Sequence, residues 1–170
     1  MDLTQFIRDI HDFPKPGIQF KDITPLLAEP RAFELSVRQL IEHYQGRRVD
    51  AIAAAEARGF LFAAPMALLM QKALVPLRKP GKLPYQTYAL EYDLEYGKAE
   101  LHVHVDGIAK GAEVLLIDDV LATGGTMEAA CKLVQKAGGH VVGCAFLIEL
   151  GFLKGRDRLR PHEIFSLLRY

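Results

Sequence analysis

VLLIDDVLATGGT, residues 114–126, is the stretch of sequence that decides the fold. Its first half is an apolar run that ends in two acids, Asp118 and Asp119, and its second half is a turn of small residues. A short continuous apolar run of this kind is typical of a strand buried on both faces of a parallel sheet. Helical spacing follows the turn as far as about Ala137, so the sequence predicts a strand, a tight turn and a helix.

The turn itself, Thr123-Gly124-Gly125-Thr126, has the chemistry of an anion site. Glycines let backbone N–H groups approach a phosphate, and the helix that follows adds partial positive charge at its N-terminus. The carboxylates of Asp118 and Asp119 would repel a phosphate but suit hydroxyls or a metal. A sugar with a phosphate at one end and a diol nearby satisfies both halves. Taken alone, the two acids could equally form a plain turn with Thr123 as a helix cap.

Working outward, short apolar runs alternate with helical patterns along the whole chain. Strands are predicted at 51–55, 74–78, 99–105, 113–119, 141–150 and 164–168, and further helices at 2–11, 30–45 and 60–72. This alternation indicates an α/β protein with a mostly parallel central sheet flanked by helices. No interdomain linker interrupts the pattern, so we expect residues 1–170 to form one domain.

Composition limits the classes of function. The chain has 170 residues, with 21 Lys and Arg against 21 Asp and Glu, so no net positive field favours nucleic acid or an anionic membrane. No apolar run approaches the ~20 residues of a membrane span, and the N-terminus lacks the apolar core of a signal peptide. The only cysteines, Cys131 and Cys144, lie in predicted core elements, where we expect free thiols and therefore a reducing cytoplasm.

The segment VLLIDDVLATGGT resembles the phosphoribosyl-pyrophosphate (PRPP) motif of the type I phosphoribosyltransferases. Further segments resemble the adenine-specific members of that family, in the same order along the chain: FPKPGIQFKDITPLL (13–27), EARGF (56–60), RKPGKLP (78–84) and LEYGKAEL (94–101). The resemblance covers essentially the whole chain. It implies the type I fold, with a base-binding N-terminal segment over 1–30 and a mobile hood loop over 79–97. It also implies purine salvage, in which adenine and PRPP give AMP and diphosphate with Mg²⁺.

The same resemblance assigns residues to the phosphoribosyl end of the substrate. The 5-phosphate would be held by Ala122, Thr123, Gly124, Gly125 and Thr126, and the ribose diol by Asp118 and Asp119. The pyrophosphate would be held by Arg58, Arg78, Lys79 and Lys82. A cis peptide is implied at Glu56-Ala57, and Arg78 could act across a dimer interface.

At the base end, the resemblance implies main-chain contacts to adenine from Gln19 and Lys21, with Phe20 against the ring. Val120 or Leu121 would pack on the other face. The catalytic residues implied are Glu95, Tyr96 and Arg58, with Glu95 as the acid or base at the adenine imidazole. Because the tripeptide LEY also occurs at 90–92, Glu91 is the runner-up.

Mg²⁺ would arrive with the pyrophosphate and need no direct protein ligand, since it keeps several waters. The implied partners are the small molecules adenine, PRPP, AMP and diphosphate, and a second copy of the chain in a homodimer. His102 and His104 alternate with apolar residues, which is typical of the wet face of a strand. Two alternatives stay open: a phosphoribosyltransferase for another base, and a regulator that binds PRPP without chemistry.

Overall fold

The structure is a computed structural model that describes residues 1–94 and 97–170. These residues form two compact units, 1–39 and 40–170, and the boundary falls inside a helix. No helix among the described residues is both long and apolar enough to cross a bilayer.

The first unit is built around a small hairpin. Strand β1 (Arg8–His11) pairs antiparallel with β2 (Gln19–Asp22), and the short helix α1 (Thr24–Ala28) follows. Helix α2 (Pro30–His43) carries the chain from the first unit into the second. The prediction of a helix beginning at Pro30 is confirmed.

The predicted helix over 2–11 is wrong. Only Leu3–Phe6 form a single 3-10 turn, capped by the Asp2 carboxylate, which accepts the Thr4 N–H at 2.9 Å. From Ile7 onward the backbone is extended, and Ile10 lies opposite Phe20 in the hairpin. The apolar spacing fits a helix, but pairing with a strand beyond the turn decides the conformation.

The second unit contains a five-stranded parallel sheet in the order β4-β3-β7-β8-β9. Its strands are β3 (Ala51–Ala55), β4 (Ala73–Leu77), β7 (Glu113–Leu121), β8 (His140–Glu149) and β9 (Ile164–Arg169). All five residues of β3 are buried, as are most of those in β7 and β8, because helices and connections cover the sheet. The predicted α/β class with a mostly parallel sheet is confirmed.

Three helices accompany this sheet: α3 (Gly59–Met70), α4 (Gly125–Lys136) and the single-turn α5 (Gly155–Arg158). Helix α3 packs on β3 and β7, and α4 packs on β7 and β8. Since parallel strands end at one edge, the segments after β3, β4 and β7 emerge side by side. That edge holds most of the predicted site residues.

Residues 87–93 and 98–104 form two strands and not a plain loop. Strand β5 (Thr87–Asp93) pairs antiparallel with β6 (Lys98–His104). The predicted strand over 99–105 is therefore confirmed, and the segment expected to be a hood contains its partner strand. The four tyrosines of 84–97 also fit a helical spacing, but the burial of β5 alternates along much of its length, as a strand requires.

Candidate active site

The phosphate loop, residues 122–126, leaves the end of β7 and enters α4. The strand runs two residues beyond the predicted end, to Leu121, so Val120 and Leu121 belong to it. Gly124 has φ +86°, a left-handed conformation that glycine adopts without strain, and it stands at the N-terminal cap of α4. Gly125 is buried, whereas Thr123 is exposed. The loop therefore combines a glycine turn with a helix N-terminus, as anion binding requires.

The acid pair, Asp118 and Asp119, lies near the carboxyl end of the same strand, next to Arg58. The Asp119 side chain is only 4% exposed, and its Oδ2 lies 2.6 Å from Nε of Arg58. Asp118 accepts the N–H of Asp119 on its own Oδ1 at 2.8 Å. Burial, reinforced by the neighbouring Asp119 carboxylate, raises the pKa of Asp118 well above its ordinary value. One acid is therefore ion-paired and the other is desolvated.

Close packing holds Asp118 in place. A β-carbon on Gly59, the first residue of α3, would lie 3.1 Å from Oδ1 of Asp118 and 3.1 Å from the carbonyl oxygen of Ile117. Glycine at this position lets the start of α3 approach the end of β7, and this close approach brings Arg58 to the acid pair. The peptide between Glu56 and Ala57 is cis, as the resemblance implies.

Glu56 joins the ends of β3 and β4. Its Oε1 accepts the backbone N–H of Lys79 at 2.6 Å and lies 3.4 Å from Nε of Arg78. The hydrogen bond from Lys79 is the largest cause of the lowered pKa of Glu56. Sequence reasoning gave Glu56 no role beyond its peptide bond. Its position directly after a buried strand was the available signal.

The loop after β4 carries the remaining cations. Arg78 is about one-third exposed and pairs with His102 through backbone hydrogen bonds in both directions. Lys79 and Lys82 are exposed. Arg78 and Lys79 thus lie at the same sheet edge as Arg58, and both of them contact the Glu56 carboxylate. The backbone N–H of Lys82 donates to the carbonyl oxygen of Lys79 at 3.3 Å, in a turn.

The β5–β6 hairpin packs on α4 beside the phosphate loop. The Tyr92 hydroxyl lies 3.5 Å from Oγ1 of Thr126, and the Lys136 ammonium donates to the carbonyl of Ala89 at 2.8 Å. The sequence assigns Tyr92 no role in the site, because its contact with Thr126 depends on the β5–β6 hairpin. The contact brings a hood residue to the predicted phosphate site.

A cavity of about 480 Å³ lies between this hairpin and the loop after β4, and its lining includes Lys79, Glu91 and Tyr92. The Glu91 carboxylate is bound to the Lys98 ammonium at 2.5 Å. The first-choice catalytic residues, Glu95 and Tyr96, lie outside the described residues.

The predicted adenine contacts of the N-terminal segment lie in the first unit. Gln19, Phe20 and Lys21 occupy β2, where the Phe20 ring meets that of Phe13 edge to face at 5.2 Å. Lys21 is bound to Asp9 across the hairpin at 2.5 Å. The described residues contain no group of three His, Cys, Asp or Glu side chains arranged to hold a metal.

Most of the chain matches a known protein family. Residues 24–167 match the model of the phosphoribosyl transferase domain. The chain belongs to the phosphoribosyltransferase family, which confirms the resemblance carried by VLLIDDVLATGGT.

Individual relatives of known name identify the group within this family to which the chain is similar. The adenine phosphoribosyltransferase of Maridesulfovibrio salexigens is 56% identical, over 99% of each chain. The crystal structure of the Thermoanaerobacter pseudethanolicus adenine phosphoribosyltransferase superposes with a TM-score of 0.96 at 50% identity, over 99% of this chain and 98% of that one. That of the Giardia lamblia enzyme, complexed with 9-deazaadenine, gives 0.94 at 34% identity, over 99% and 96%. Within the family, the chain belongs with the adenine phosphoribosyltransferases.

Proposed function

We propose that the protein transfers the phosphoribosyl group of PRPP to adenine, giving AMP and diphosphate in purine salvage. The single observation that carries this proposal is the sheet edge at which β7 presents an acid pair and a glycine phosphate loop. Arg58 reaches the same acids from the end of β3, at 2.6 Å. The family to which the chain belongs supports adenine as the base.

The phosphate loop would hold the 5-phosphate through its backbone N–H groups and the hydroxyls of Thr123 and Thr126. The ribose diol would donate to Asp118 and Asp119, since carboxylates accept hydrogen bonds from hydroxyls. Anchoring the sugar at both ends positions its anomeric carbon for displacement, and such positioning supplies much of the rate in reactions of this kind.

Arg58, Arg78 and Lys79 would bind the pyrophosphate and stabilise its charge as it leaves, with Lys82 as a further cation from the same loop. We propose no direct protein ligand for the metal, because Mg²⁺ keeps several waters and would arrive bound to the pyrophosphate. Mg²⁺ would supply charge neutralisation for the leaving group, held by pyrophosphate oxygens and water.

At the base, we assign adenine to the backbone of Gln19 and Lys21, with Phe20 on one ring face and Val120 or Leu121 on the other. A site that pairs the amino group of adenine disfavours an oxo purine, because an acceptor would then face an acceptor. Glu95, aided by Tyr96, would manage the proton of the adenine imidazole, and Glu91 is the alternative. The 79–97 hood would close over the site and exclude water.

We propose that the enzyme is a homodimer and that the apolar outer face of α3 contributes to its interface. Leu61 and Leu68, seven residues apart on one helix face, are 42% and 78% exposed. Leu69 beside them is 54% exposed. Contiguous exposed leucines of this kind are typical of an interaction surface. The free thiols of Cys131 and Cys144, 3.6 Å apart, support a reducing cytoplasmic location.

The test measures AMP formation by the purified protein with adenine, hypoxanthine, guanine or xanthine, each with PRPP and Mg²⁺. We expect product from adenine alone, and only when both PRPP and Mg²⁺ are present. Turnover of another purine equal to that of adenine would overturn the base assignment.

Site variants refine the test. Asp119→Asn should abolish most activity, whereas Asp106→Asn, at an exposed aspartate outside the site, should leave it unchanged. Glu95→Gln should be inactive and Glu91→Gln active; the reverse result would move the acid or base to Glu91.

A further inference from the structure

The single-turn helix α5 lies against the phosphate loop, and their contact leaves no room for a side chain. A β-carbon on Gly155, its first residue, would lie 2.2 Å from the carbonyl oxygen of Ala122 and 2.9 Å from Cδ1 of Leu121. Gly155 is not among the glycines with positive φ, so its backbone conformation is open to alanine. Only the missing side chain therefore requires glycine at this position.

The contact is reciprocal. A β-carbon on Gly124, inside the phosphate loop, would lie 2.7 Å from the carbonyl oxygen of Gly155. Two stretches of backbone thus meet glycine to glycine, and neither can accept a methyl group without movement of the other. Because backbone atoms form both sides, a rotamer change cannot relieve the overlap.

A second contact links α5 to the first turn of α4. Nε of Arg158, the last residue of α5, is paired with Oε2 of Glu128. The other carboxylate oxygen of Glu128, Oε1, accepts from the Lys132 ammonium at 2.7 Å. The Arg158 guanidinium passes beside the loop: a β-carbon on Gly125 would lie 3.4 Å from its Nη1. The phosphate loop is therefore held against α5 at two points, Gly155 and Arg158.

We propose that α5 positions the phosphate loop for the 5-phosphate, with Gly155 setting how closely the loop approaches and Arg158 tying it through Glu128. The inference rests on the proposed function and adds positioning residues to it. None of these three residues needs to touch the substrate. They fix where the loop N–H groups point before the phosphate arrives.

The size of the effect follows from the geometry. Replacing Gly155 with alanine requires the contact with the Ala122 oxygen to open from 2.2 Å to an ordinary separation, a shift of about 1 Å. Misplacement of a binding group by that distance costs on the order of 100-fold in rate. We expect Gly155→Ala to raise the KM for PRPP and the Kd for ribose 5-phosphate by about 10-fold to 100-fold, with the KM for adenine within about threefold.

The matched control is Gly151→Ala, the same substitution in the same connecting segment. A β-carbon there would lie 3.0 Å from Nε of the Arg169 side chain and 3.3 Å from the carbonyl oxygen of Tyr170, and neither atom belongs to the phosphate loop. This variant should bind ribose 5-phosphate like the parent. A raised KM for PRPP beside an unchanged KM for adenine would indicate a positioning role. A general loss of folded protein would instead lower the concentration of active enzyme and change neither KM.

A second set of variants applies even if Gly155→Ala does not fold. Glu128→Gln removes a negative charge near the phosphate, so a purely electrostatic effect would tighten binding. Loss of the tie to Arg158 should instead weaken ribose 5-phosphate binding by about threefold to tenfold. Arg158→Gln should weaken it similarly, whereas Arg160→Gln, which removes a 79% exposed charge two residues away, should not.

Calorimetric titration with ribose 5-phosphate gives the decisive outcomes. Unchanged or tighter binding by Glu128→Gln, or parent-like KM for PRPP in a folded Gly155→Ala, would overturn the inference. A parent protein that makes AMP while these variants behave normally would leave the proposed function intact. A parent protein that neither binds ribose 5-phosphate nor makes AMP would instead refute the proposed function.

Discussion

Replacement of Arg58 by glutamine should destabilise the ligand-free protein, because it leaves a buried carboxylate without its counterion. The Asp119 side chain is 4% exposed and lies 2.6 Å from the guanidinium. Breaking a fully buried pair costs about 3–5 kcal/mol. Arg58 is 48% exposed, so solvent screens much of the interaction, and we expect a loss of about 1–2 kcal/mol in the free energy of unfolding. For a chain of this size that lowers Tm by about 2–8 °C.

The assay is thermal unfolding without ligands, in a double-mutant cycle with Asp119→Asn. In the Asp119→Asn background, Arg58→Gln should cost less than about 0.5 kcal/mol, since no buried charge remains to be compensated. Arg48→Gln is the control: it breaks an exposed pair with Asp50, 3.0 Å long, and should cost about 0.5 kcal/mol or less.

Equal losses in both backgrounds would refute this reasoning, because the effect would then come from some other contact of Arg58. The same variant also tests the role proposed for Arg58 at the pyrophosphate. We expect kcat/KM for PRPP to fall by about 100-fold or more, since a charge-assisted contact to the leaving group is lost.

Three further expectations concern stability, pH and assembly. Glu149, buried and bound by Arg156 and then Ser166, has a lowered pKa, so its stabilisation is present above about pH 4.5 and is lost as pH falls through its folded value. Glu149→Gln should therefore cost about 2 kcal/mol at pH 7, and denaturant titrations should show that cost shrinking in acid. The raised pKa of Asp118 has the opposite effect on stability, because its ionisation opposes folding above about pH 3.8. Asp118→Asn should therefore increase the free energy of unfolding at pH 7 by about 1 kcal/mol while activity is lost. Leu68→Glu should convert the proposed dimer to a monomer, as measured by light scattering, and an unchanged dimer mass would exclude α3 from the interface.

The parallel sheet was predictable because its signal is local and strong. The strands β3 and β7 are continuous apolar runs, and burial on both faces is what such runs indicate. The strand, glycine turn and helix around residues 122–126 were predictable for the same reason, since they follow one another without interruption. The left-handed conformation of Gly124 is a detail that only the structure shows.

Features that depend on contacts distant in sequence were not predictable. The N-terminal helix fails because β1 finds its partner beyond a turn in which Gly17 donates its N–H to the Asp12 carboxylate at 2.7 Å. The Tyr92–Thr126 contact exists only because the β5–β6 hairpin lies on α4. Gly155 carries no sequence signal at all, since its importance lies in the Ala122 oxygen that faces it.

The formal net charge of zero includes a local balance of opposite charges at the site. Two of the cations proposed for the pyrophosphate are already paired with carboxylates of the same sheet edge: Arg58 with Asp119 and Arg78 with Glu56. Binding of a polyanion would therefore exchange partners within a balanced network and would not rely on attraction by a net positive surface. In the proposed function, this exchange would leave Asp119 and its neighbour Asp118 available to the ribose hydroxyls when Arg58 binds phosphate. A neutral chain can hold a highly charged sugar phosphate because its opposite charges are positioned, in advance, for the two ends of that substrate.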